Sequence, residues 1–146
     1  LNLNWNSFVH KDFELSNLMH LPLREGHLKC GILDFQNAFI GFCGWDLFSL
    51  LENPRIFFEE KYNDEIVEYF FNNTNQTIKF SDFLKQYYFL NAARQTRIIG
   101  RWINLDKKNK NNYIKFLNIT IQRLQKSLFR LQNKKLSNLY DKIIIK

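Results

Sequence analysis

The sequence predicts an α+β fold that is mainly helical and carries a small β-hairpin. Its 146 residues suit one domain with one hydrophobic core. Two short apolar runs flank a turn sequence in the first quarter of the chain, which is the pattern of a hairpin. From Trp45 onward, apolar residues recur at helical spacing. A composition of 45% hydrophobic and 24% charged residues is typical of globular proteins and excludes a disordered one.

The predicted hairpin joins the apolar runs 17–21 and 28–33. The segment 22–26 between them contains a proline and a glycine, which favour a turn. Asn17 and Asp34 then fall at the ends of the two strands. Side chains at strand ends project from a sheet, so both residues are candidates for a site.

Helical segments follow the hairpin. A short helix begins near Asp46 and ends before Pro54, because proline lacks the amide hydrogen that continues a helix. The segment 57–71 has acidic and apolar residues at helical spacing. A longer helix is predicted from an N-cap at Ser81 to about Leu105.

The last predicted helix, over about 112–132, carries apolar residues at alternating steps of three and four. This spacing forms the seam of a packed helix, and we expect it to pack on its own chain rather than in an intermolecular coiled coil. The seam consists of Ile114, Leu117, Ile121, Leu124, Leu128 and Leu131.

Charge divides the chain into two halves of opposite sign. Residues 1–75 carry a net charge of −6 and residues 76–146 a net charge of +13, which together give +7. A basic half attracts phosphate-rich partners. We do not expect nucleic-acid binding from charge alone, because an abundance of Asn, Ile, Phe, Tyr and Lys is the composition bias of an AT-rich genome.

One alternative to an enzyme is a noncatalytic binding module, whose basic C-terminal helices bind a polyanion or a partner protein. Three arginines of the third predicted helix lie at steps of three and four, and therefore share one face. Binding to a membrane surface is a weaker alternative, because the apolar face of the last helix has a use in the core. The residues that discriminate the binding module are Arg94, Arg97, Arg101, Lys107, Lys108 and Lys110.

The sequence favours a cytoplasmic protein. No stretch approaches the ~18 uncharged apolar residues of a membrane-spanning helix. The opening residues 1–5 show neither the basic nor the apolar region of a secretion signal. Cys30 and Cys43 have no metal-ligand spacing, and we expect both as reduced thiols.

Residues that suit phosphoryl transfer lie in the first quarter of the chain. They form the motif H-x-D-x-x-x-x-N, from His10 through Asp12 to Asn17, and Asp34 follows the second predicted strand. Phosphoryl transfer from a nucleotide needs a carboxylate near the acceptor hydroxyl and hard oxygen ligands that hold magnesium against the phosphates. Asp12 would receive or orient the hydroxyl proton, and Asn17 and Asp34 would hold the metal. The sequence therefore predicts a phosphotransferase.

Each of these residues also has a structural explanation when it is considered alone. His10 suits a structural histidine, Asp12 a turn residue and Asn17 a loop amide. Asp34 suits a helix or turn cap. Asp46 is expected to be structural even in an enzyme, as a buried or capping carboxylate at a helix start. The residues taken together favour the phosphotransferase.

At these positions the sequence resembles the aminoglycoside phosphotransferase family of protein-kinase-like enzymes. The likeness rests on HKDFELSNLM at 10–19, GILDFQNA at 31–38 and WDLFSLL at 45–51. Within the family, the likeness is greatest to the bacterial N-acetylmuramate/N-acetylglucosamine anomeric kinases, whose pattern is approximately HRDFHSRNLM, GVIDFQDA and GPxxYDLxSLL. It is strong over residues 9–51 and weaker over residues 91–105.

The resemblance implies a two-lobed kinase of which this chain is the C-terminal lobe, with ATP and Mg²⁺ bound between the lobes. By position, it makes Asp12 the catalytic base and makes Asn17 and Asp34 the metal ligands. His10 would brace the catalytic loop. Asp46 would steady that loop from the helix that follows it.

Several positions depart from the family pattern. Lys11 stands where the family has Arg, and either lies near the transferred group, where it offsets charge, or is a solvated loop lysine. Residues 14–16 read Glu-Leu-Ser in place of His-Ser-Arg, and Phe42 and Trp45 replace Pro and Tyr. The expected acceptor is a hydroxyl of a small sugar or amino sugar. Its identity depends on whether the replaced residues touch it.

Two features of related kinases are absent from the sequence. Asp34 and Asp46 are twelve residues apart, which is too close for a regulated activation segment, so a protein substrate is not expected. Neither a G-x-G-x-x-G nor a strand lysine precedes the motif. We therefore expect the nucleotide-clamping lobe upstream of Leu1, and little or no kinase activity from this chain alone. The sequence leaves the oligomeric state open.

Overall fold

The computed structural model describes residues 5–108 and 111–144. The chain divides into two compact units, an N-terminal unit of Leu1–Asn75 and a C-terminal unit of Gln76–Lys146, where the length alone predicted one core. The boundary coincides with the change in sign of the net charge, so the N-terminal unit is acidic and the C-terminal unit is basic. The assignment of the whole chain to one kinase lobe stays a prediction.

Short antiparallel strands build the sheets of the N-terminal unit. Strand β1 (Ser7–Val9) pairs with β4 (Phe39–Gly41), and β2 (Leu18–His20) pairs with β3 (Cys30–Ile32). The pairing of β2 with β3 confirms the predicted hairpin. The pairing of β1 with β4 was not predicted, because these strands lie about thirty residues apart and no single turn sequence joins them.

Helices complete the N-terminal unit. Helix α1 (Trp45–Leu51) begins one residue before Asp46 and ends ahead of Pro54, as predicted. Helix α2 (Glu60–Asn72) begins three residues after the start of the predicted segment 57–71. The described part of the chain is therefore mixed α+β, mostly helical with small sheets, which is the predicted class.

The C-terminal unit is helical. It contains α3 (Phe80–Asp106), α4 (Leu117–Leu131) and α5 (Lys134–Ile144), and a 3-10 turn (Asn111–Phe116) precedes α4. The predicted seam is confirmed, because α4 contributes two of its leucines to a core shared with α3. The buried residues of this core are Ala92, Ile99, Leu124 and Leu128, and the partly buried residues against it are Leu117, Ile121, Leu136 and Tyr140.

The structure corrects two predicted boundaries in this unit. Ser81 is not the N-cap of α3: the helix begins at Phe80, and the extended backbone of Lys79 precedes it. The helix that was predicted over 112–132 is α4, and it starts only at Leu117 because Asn111–Phe116 forms a 3-10 turn. Asparagine favours turns over helices, because its side chain competes for backbone hydrogen bonds. Helix α5 was not predicted.

No helix within the described residues is both long and apolar enough to span a bilayer. In the part of the chain that the structure describes, neither cysteine forms a disulfide. Cys30 is exposed and Cys43 is half-buried. The thiols therefore add no covalent cross-link to the fold.

Candidate active site

The loop that joins β1 to β2 contains the first predicted motif. His10 follows β1 directly and Asn17 precedes β2 directly. A 3-10 turn over Leu15–Asn17 forms the last part of the loop and leads into the strand. The two ends of the motif therefore adjoin β1 and β2, which belong to separate two-stranded sheets, and Asp12 lies in the irregular part between them.

His10 is buried and connects the loop to the residue that follows β3. It is 2% exposed, and its Nε2 lies 2.8 Å from the carbonyl oxygen of Leu33. A carbonyl oxygen only accepts hydrogen bonds, so Nε2 donates in this contact. The imidazole also packs edge-on against Phe13, with 6.0 Å between the ring centroids. His10 thereby holds the loop against the residue immediately before Asp34.

Asp46, in the first turn of α1, accepts two hydrogen bonds from the backbone of the loop. Its Oδ2 lies 2.7 Å from the amide nitrogen of His10, and its Oδ1 lies 2.9 Å from the amide nitrogen of Lys11. Hydrogen bonds to an ionised acceptor are about twice as strong as neutral ones. Helix α1 therefore holds the backbone directly before Asp12.

Lys11 has a φ of 79°, in the left-handed region that non-glycine residues rarely adopt. Such a conformation persists only where the surroundings hold it, and the bond from the Lys11 amide to Asp46 does so. Within residues 5–108 and 111–144, the Lys11 ammonium makes no hydrogen bond or ion pair. Its charge-offsetting role therefore stays a prediction.

Asn17 and Asp34 lie at the same open end of the β2–β3 hairpin. Leu18 of β2 pairs with Ile32 of β3, and the amide of Leu33 donates to the carbonyl oxygen of Asn17 at 2.9 Å. This register places Asn17 beside the residue that precedes Asp34. The predicted positions of both residues at strand ends are confirmed.

Asn17 also fixes the backbone of Asp12, because its Nδ2 donates to the Asp12 carbonyl oxygen at 2.8 Å. The residue Asp12 itself is exposed. Across the described ranges, no side chain or amide forms a hydrogen bond or ion pair with its carboxylate. The carboxylate is thus held in place through the main chain and is accessible to a ligand.

Asp34 has a second left-handed backbone, with a φ of 66°. Its Oδ1 accepts a hydrogen bond from Nε2 of Gln36, two residues further along the chain. Sequence reasoning did not assign a role to Gln36. The contact leaves Oδ2 of Asp34 without a hydrogen-bond donor among the described residues.

Glu14, in the same loop, makes contacts that sequence reasoning missed. Its Oε1 accepts a hydrogen bond from Oγ of Ser16 at 2.9 Å, and its Oε2 accepts one from Nδ2 of Asn53 at 3.2 Å. Arg55 forms an ion pair with the same carboxylate. Asn53 and Arg55 are 39 and 41 residues away along the chain, so no local signal in the sequence links them to Glu14.

The oxygen donors at the open end of the hairpin suit magnesium. Within the described ranges, neither Oδ1 of Asn17 nor Oδ2 of Asp34 accepts a hydrogen bond, so each residue has an oxygen that could bind a cation. Magnesium commonly takes only one or two protein ligands, while phosphates and water complete its shell. In the part of the chain that the structure describes, no three His, Cys, Asp or Glu side chains form a metal cage. Asn17 and Asp34 would supply two of the oxygen ligands that a magnesium ion takes from a protein.

The basic residues of the alternative binding module lie in the C-terminal unit. Arg97 and Arg101 of α3 are exposed, whereas Arg94 is half-buried. Lys107 and Lys108 follow α3 and are exposed, and Lys110 lies outside the described residues. A binding role for these residues stays a prediction.

A family model identifies the relationship of the chain. The model of the phosphotransferase enzyme family, APH, matches residues 3–80. The chain belongs to the phosphotransferase enzyme family. The resemblance seen in the three sequence segments is thereby confirmed. The matched range contains His10, Lys11, Asp12, Asn17, Asp34 and Asp46.

Two curated relatives of this chain are kinases that share one name. The N-acetylmuramate/N-acetylglucosamine kinase of Caulobacter vibrioides is 30% identical over 111 residues, which cover 75% of this chain and 30% of the relative. The kinase of that name from Neisseria meningitidis serogroup B is 30% identical over 111 residues, which cover 70% of this chain and 32% of the relative. The chain therefore spans about a third of the length of the relatives that it matches.

Proposed function

We propose that this phosphotransferase transfers the γ-phosphoryl group of ATP to a hydroxyl of a small sugar or amino sugar. The main support is that the Asp12 carboxylate is accessible while its backbone is held in place. The side chain of Asn17 donates a hydrogen bond to the backbone carbonyl oxygen of Asp12 at 2.8 Å. Asn17 in turn shares one end of the hairpin with Asp34. The names of the two relatives favour an N-acetylated amino sugar as the acceptor.

Asp12 is the base of the proposed reaction. The proton of the acceptor hydroxyl passes to the Asp12 carboxylate while the hydroxyl oxygen forms its bond to the γ-phosphorus. The bond from that phosphorus to the bridging oxygen breaks, and the products are a sugar phosphate and ADP. Phosphoryl transfer depends mainly on positioning and charge stabilisation. The bonds from Asp46 and Asn17 supply the positioning, because they hold the backbone on either side of the base.

Asn17 and Asp34 would hold Mg²⁺ in this proposal. When bound, magnesium neutralises charge on the phosphates and orients them. Gln36 keeps one carboxylate oxygen of Asp34 engaged, which orients the other. We propose that Lys11 lies near the transferred group and offsets part of its charge.

We further propose that the nucleotide-clamping lobe lies outside this chain, which spans about a third of its relatives. The catalytic and metal-binding side chains alone leave the phosphates of ATP without the donors that a clamp supplies. The chain alone should then have little or no activity. We propose the cytoplasm, where ATP is available, as the site of the reaction.

The proposal is tested by phosphoryl transfer from ATP, with this chain compared with the full polypeptide encoded by its gene. N-Acetylglucosamine, N-acetylmuramate and aminoglycosides serve as acceptors, and ³¹P NMR identifies the phosphorylated hydroxyl. In the full polypeptide we expect Asp12→Asn to lower kcat by about 10²–10⁴-fold, the range for loss of a general base. Asp34→Asn should also lower kcat and raise the magnesium concentration needed for half-maximal activity.

Asp141→Asn is the matched control, because Asp141 is an exposed carboxylate of α5 in the other unit. It should leave kcat unchanged. Full activity in both the Asp12→Asn and Asp34→Asn variants would contradict the mechanism. Absence of transfer to every acceptor by the full polypeptide would contradict the function itself.

A further inference from the structure

We infer that Glu14 is a positioning residue whose carboxylate, held by Asn53 and Arg55, sets the path of the loop between Asp12 and Asn17. The inference rests on the proposed function, because it gives Glu14 a part in that reaction. Neither the motif nor the family relationship singles out this side chain. It acts through its neighbours, without contact to the substrate.

The loop is held on both sides of Asp12. Before Asp12, the carboxylate of Asp46 binds the amides of the two preceding residues, at 2.7 and 2.9 Å. After Asp12, the side chains of Asn53 and Arg55 bind Glu14. Asp46 lies in the first turn of α1, and Asn53 lies two residues beyond its last residue. Helix α1 and the residues directly after it thus hold the loop before and after Asp12.

The position of Glu14 also determines the position of Asn17, the candidate metal ligand. The carbonyl oxygen of Glu14 accepts a hydrogen bond from the Asn17 amide at 2.9 Å. The hydroxyl of Ser16 donates to Oε1 of Glu14 at 2.9 Å. The extended backbone of Glu14 leads directly into the 3-10 turn that ends at Asn17. A displacement of Glu14 would therefore displace Asn17 and, through its amide, the backbone of Asp12.

Asn53, which binds the Glu14 carboxylate, is itself held firmly in place. Asn53 is 2% exposed, and its Oδ1 accepts hydrogen bonds from the amide of Arg55 at 3.0 Å and from its Nε at 3.4 Å. The Arg55 and Glu14 side chains are 42% and 23% exposed. An ion pair with that exposure adds little to the stability of a fold. We therefore expect its loss to alter the loop much more than the fold.

The carboxylate at position 14 departs from the pattern of the sugar kinases that the sequence resembles. That pattern has His-Ser-Arg at positions 14–16, and this chain has Glu-Leu-Ser. Glu14 therefore lies within a segment that resembles the family but is not one of the residues that match its pattern. They tie a departure in the loop to a second segment of the chain, the residues after α1.

The test uses the full polypeptide in the phosphoryl-transfer assay, with Glu14→Ala, Arg55→Ala and the double variant. We expect each single variant to lower kcat by about 10- to 100-fold, the range that small misplacements of catalytic groups produce. KM for ATP should change by less than about twofold, since no binding contact is removed. The double variant should be no worse than Glu14→Ala, because removal of the Glu14 carboxylate already removes the contact that Arg55 makes with it. Arg55→Lys keeps the positive charge and should recover part of the activity.

Amide hydrogen exchange provides a readout that does not depend on activity. In Glu14→Ala we expect faster exchange of the Asn17 amide, while the amides of His10 and Lys11, held by Asp46, keep their rates. The matched control is Lys61→Ala, which breaks an exposed ion pair with Glu59 in the same unit. It should change neither kcat nor the exchange of the loop amides.

The possible outcomes separate this inference from the proposed function. An active wild-type protein with unchanged kcat in both single variants would overturn the inference alone. So would unchanged exchange of the Asn17 amide, or a fall in kcat that a lower melting temperature explains. A wild-type polypeptide that phosphorylates no acceptor would overturn the proposed function, and with it the catalytic part assigned to Glu14.

Discussion

The two units of this chain are stabilised in different ways. In the N-terminal unit, strands of three residues leave long loops, and hydrogen bonds to Asp46 and Glu14 hold the loop of the candidate site. In the C-terminal unit, α3 and α4 share a core of buried alanine, isoleucine and leucine. Each unit also contains the other kind of contact, since Phe42 and Phe48 are buried in the N-terminal unit and Asn91 of α3 donates to Ser127 of α4 at 2.9 Å. The difference is that polar contacts hold the irregular loop of the candidate site, whereas apolar packing joins two long helices.

The two units also differ in how much of each the family model covers. The match over residues 3–80 spans the described part of the N-terminal unit and ends at the first residue of α3. The basic helices that follow lie beyond it. The candidate site residues therefore lie within the range that the family model matches, whereas the basic residues from Arg94 onward lie beyond it.

The largest effect on stability is expected in the C-terminal core. Leu124 is 1% exposed, and we expect Leu124→Ala to lower the free energy of unfolding by about 2–5 kcal/mol, because it leaves a cavity. Leu139→Ala is the matched control, since Leu139 of α5 is 53% exposed and should cost no more than about 0.5 kcal/mol. Urea denaturation measures both. Equal losses would show that this unit does not depend on its apolar core.

The next effect concerns the polar contacts of the N-terminal unit. Asp46→Ala removes the acceptor of two loop amides, and we expect a loss of about 1.5–3 kcal/mol, the range for a hydrogen bond to a charged group. Exchange of the His10 and Lys11 amides should become faster. Glu68→Ala, at an exposed position of α2, should leave both rates unchanged. Unchanged amide exchange in Asp46→Ala would contradict the conclusion that polar contacts hold the loop of the N-terminal unit.

A third prediction concerns close packing between β1 and β4. A Cβ atom at Gly41 would lie 2.6 Å from Cε2 of Phe39 and 3.1 Å from Cγ2 of Val9. We expect Gly41→Ala to lower the free energy of unfolding by about 1–3 kcal/mol, the usual cost of overpacking. At Gly31 the nearest atom is Cδ1 of Leu21, at 3.1 Å, so Gly31→Ala should cost less. Thermal melts of the two variants give the comparison, and a stabilised Gly41→Ala variant would contradict it.

The smallest effect has the opposite sign. Gly100 lies inside α3, and apart from its chain neighbours and the nearby backbone of α3 itself, no described residue has an atom within 4 Å of a Cβ placed there. Alanine is favoured over glycine in a helix interior, so Gly100→Ala should raise the free energy of unfolding by about 0.8–1 kcal/mol. Ala93→Gly, at an exposed position of the same helix, should lower it by a similar amount. A lower melting temperature for Gly100→Ala would be inconsistent with the packing of this unit.

Local patterns predicted the hairpin and most of the helices. Proline and glycine between two apolar runs indicated β2 and β3, and the seam of α4 indicated its packing. Ser81 misled the prediction because serine is common at an N-cap, yet the backbone turns helical one residue earlier. The pairing of β1 with β4 joins segments about thirty residues apart and leaves no local signal.

The sequence by itself determined the order and the types of the site residues. His10, Asp12 and Asn17 have a spacing that can be seen along one loop, and Asp34 follows a strand whose turn is local. The resemblance implied that Asp46 steadies the loop, but only the tertiary structure showed which atoms Asp46 binds and that Asn53 and Arg55 bind Glu14. Asp46 bonds to amides 35 and 36 residues away, and Arg55 pairs with Glu14 across 41 residues. Such contacts depend on how segments pack, because periodicity along the chain carries no record of the partner of a polar side chain.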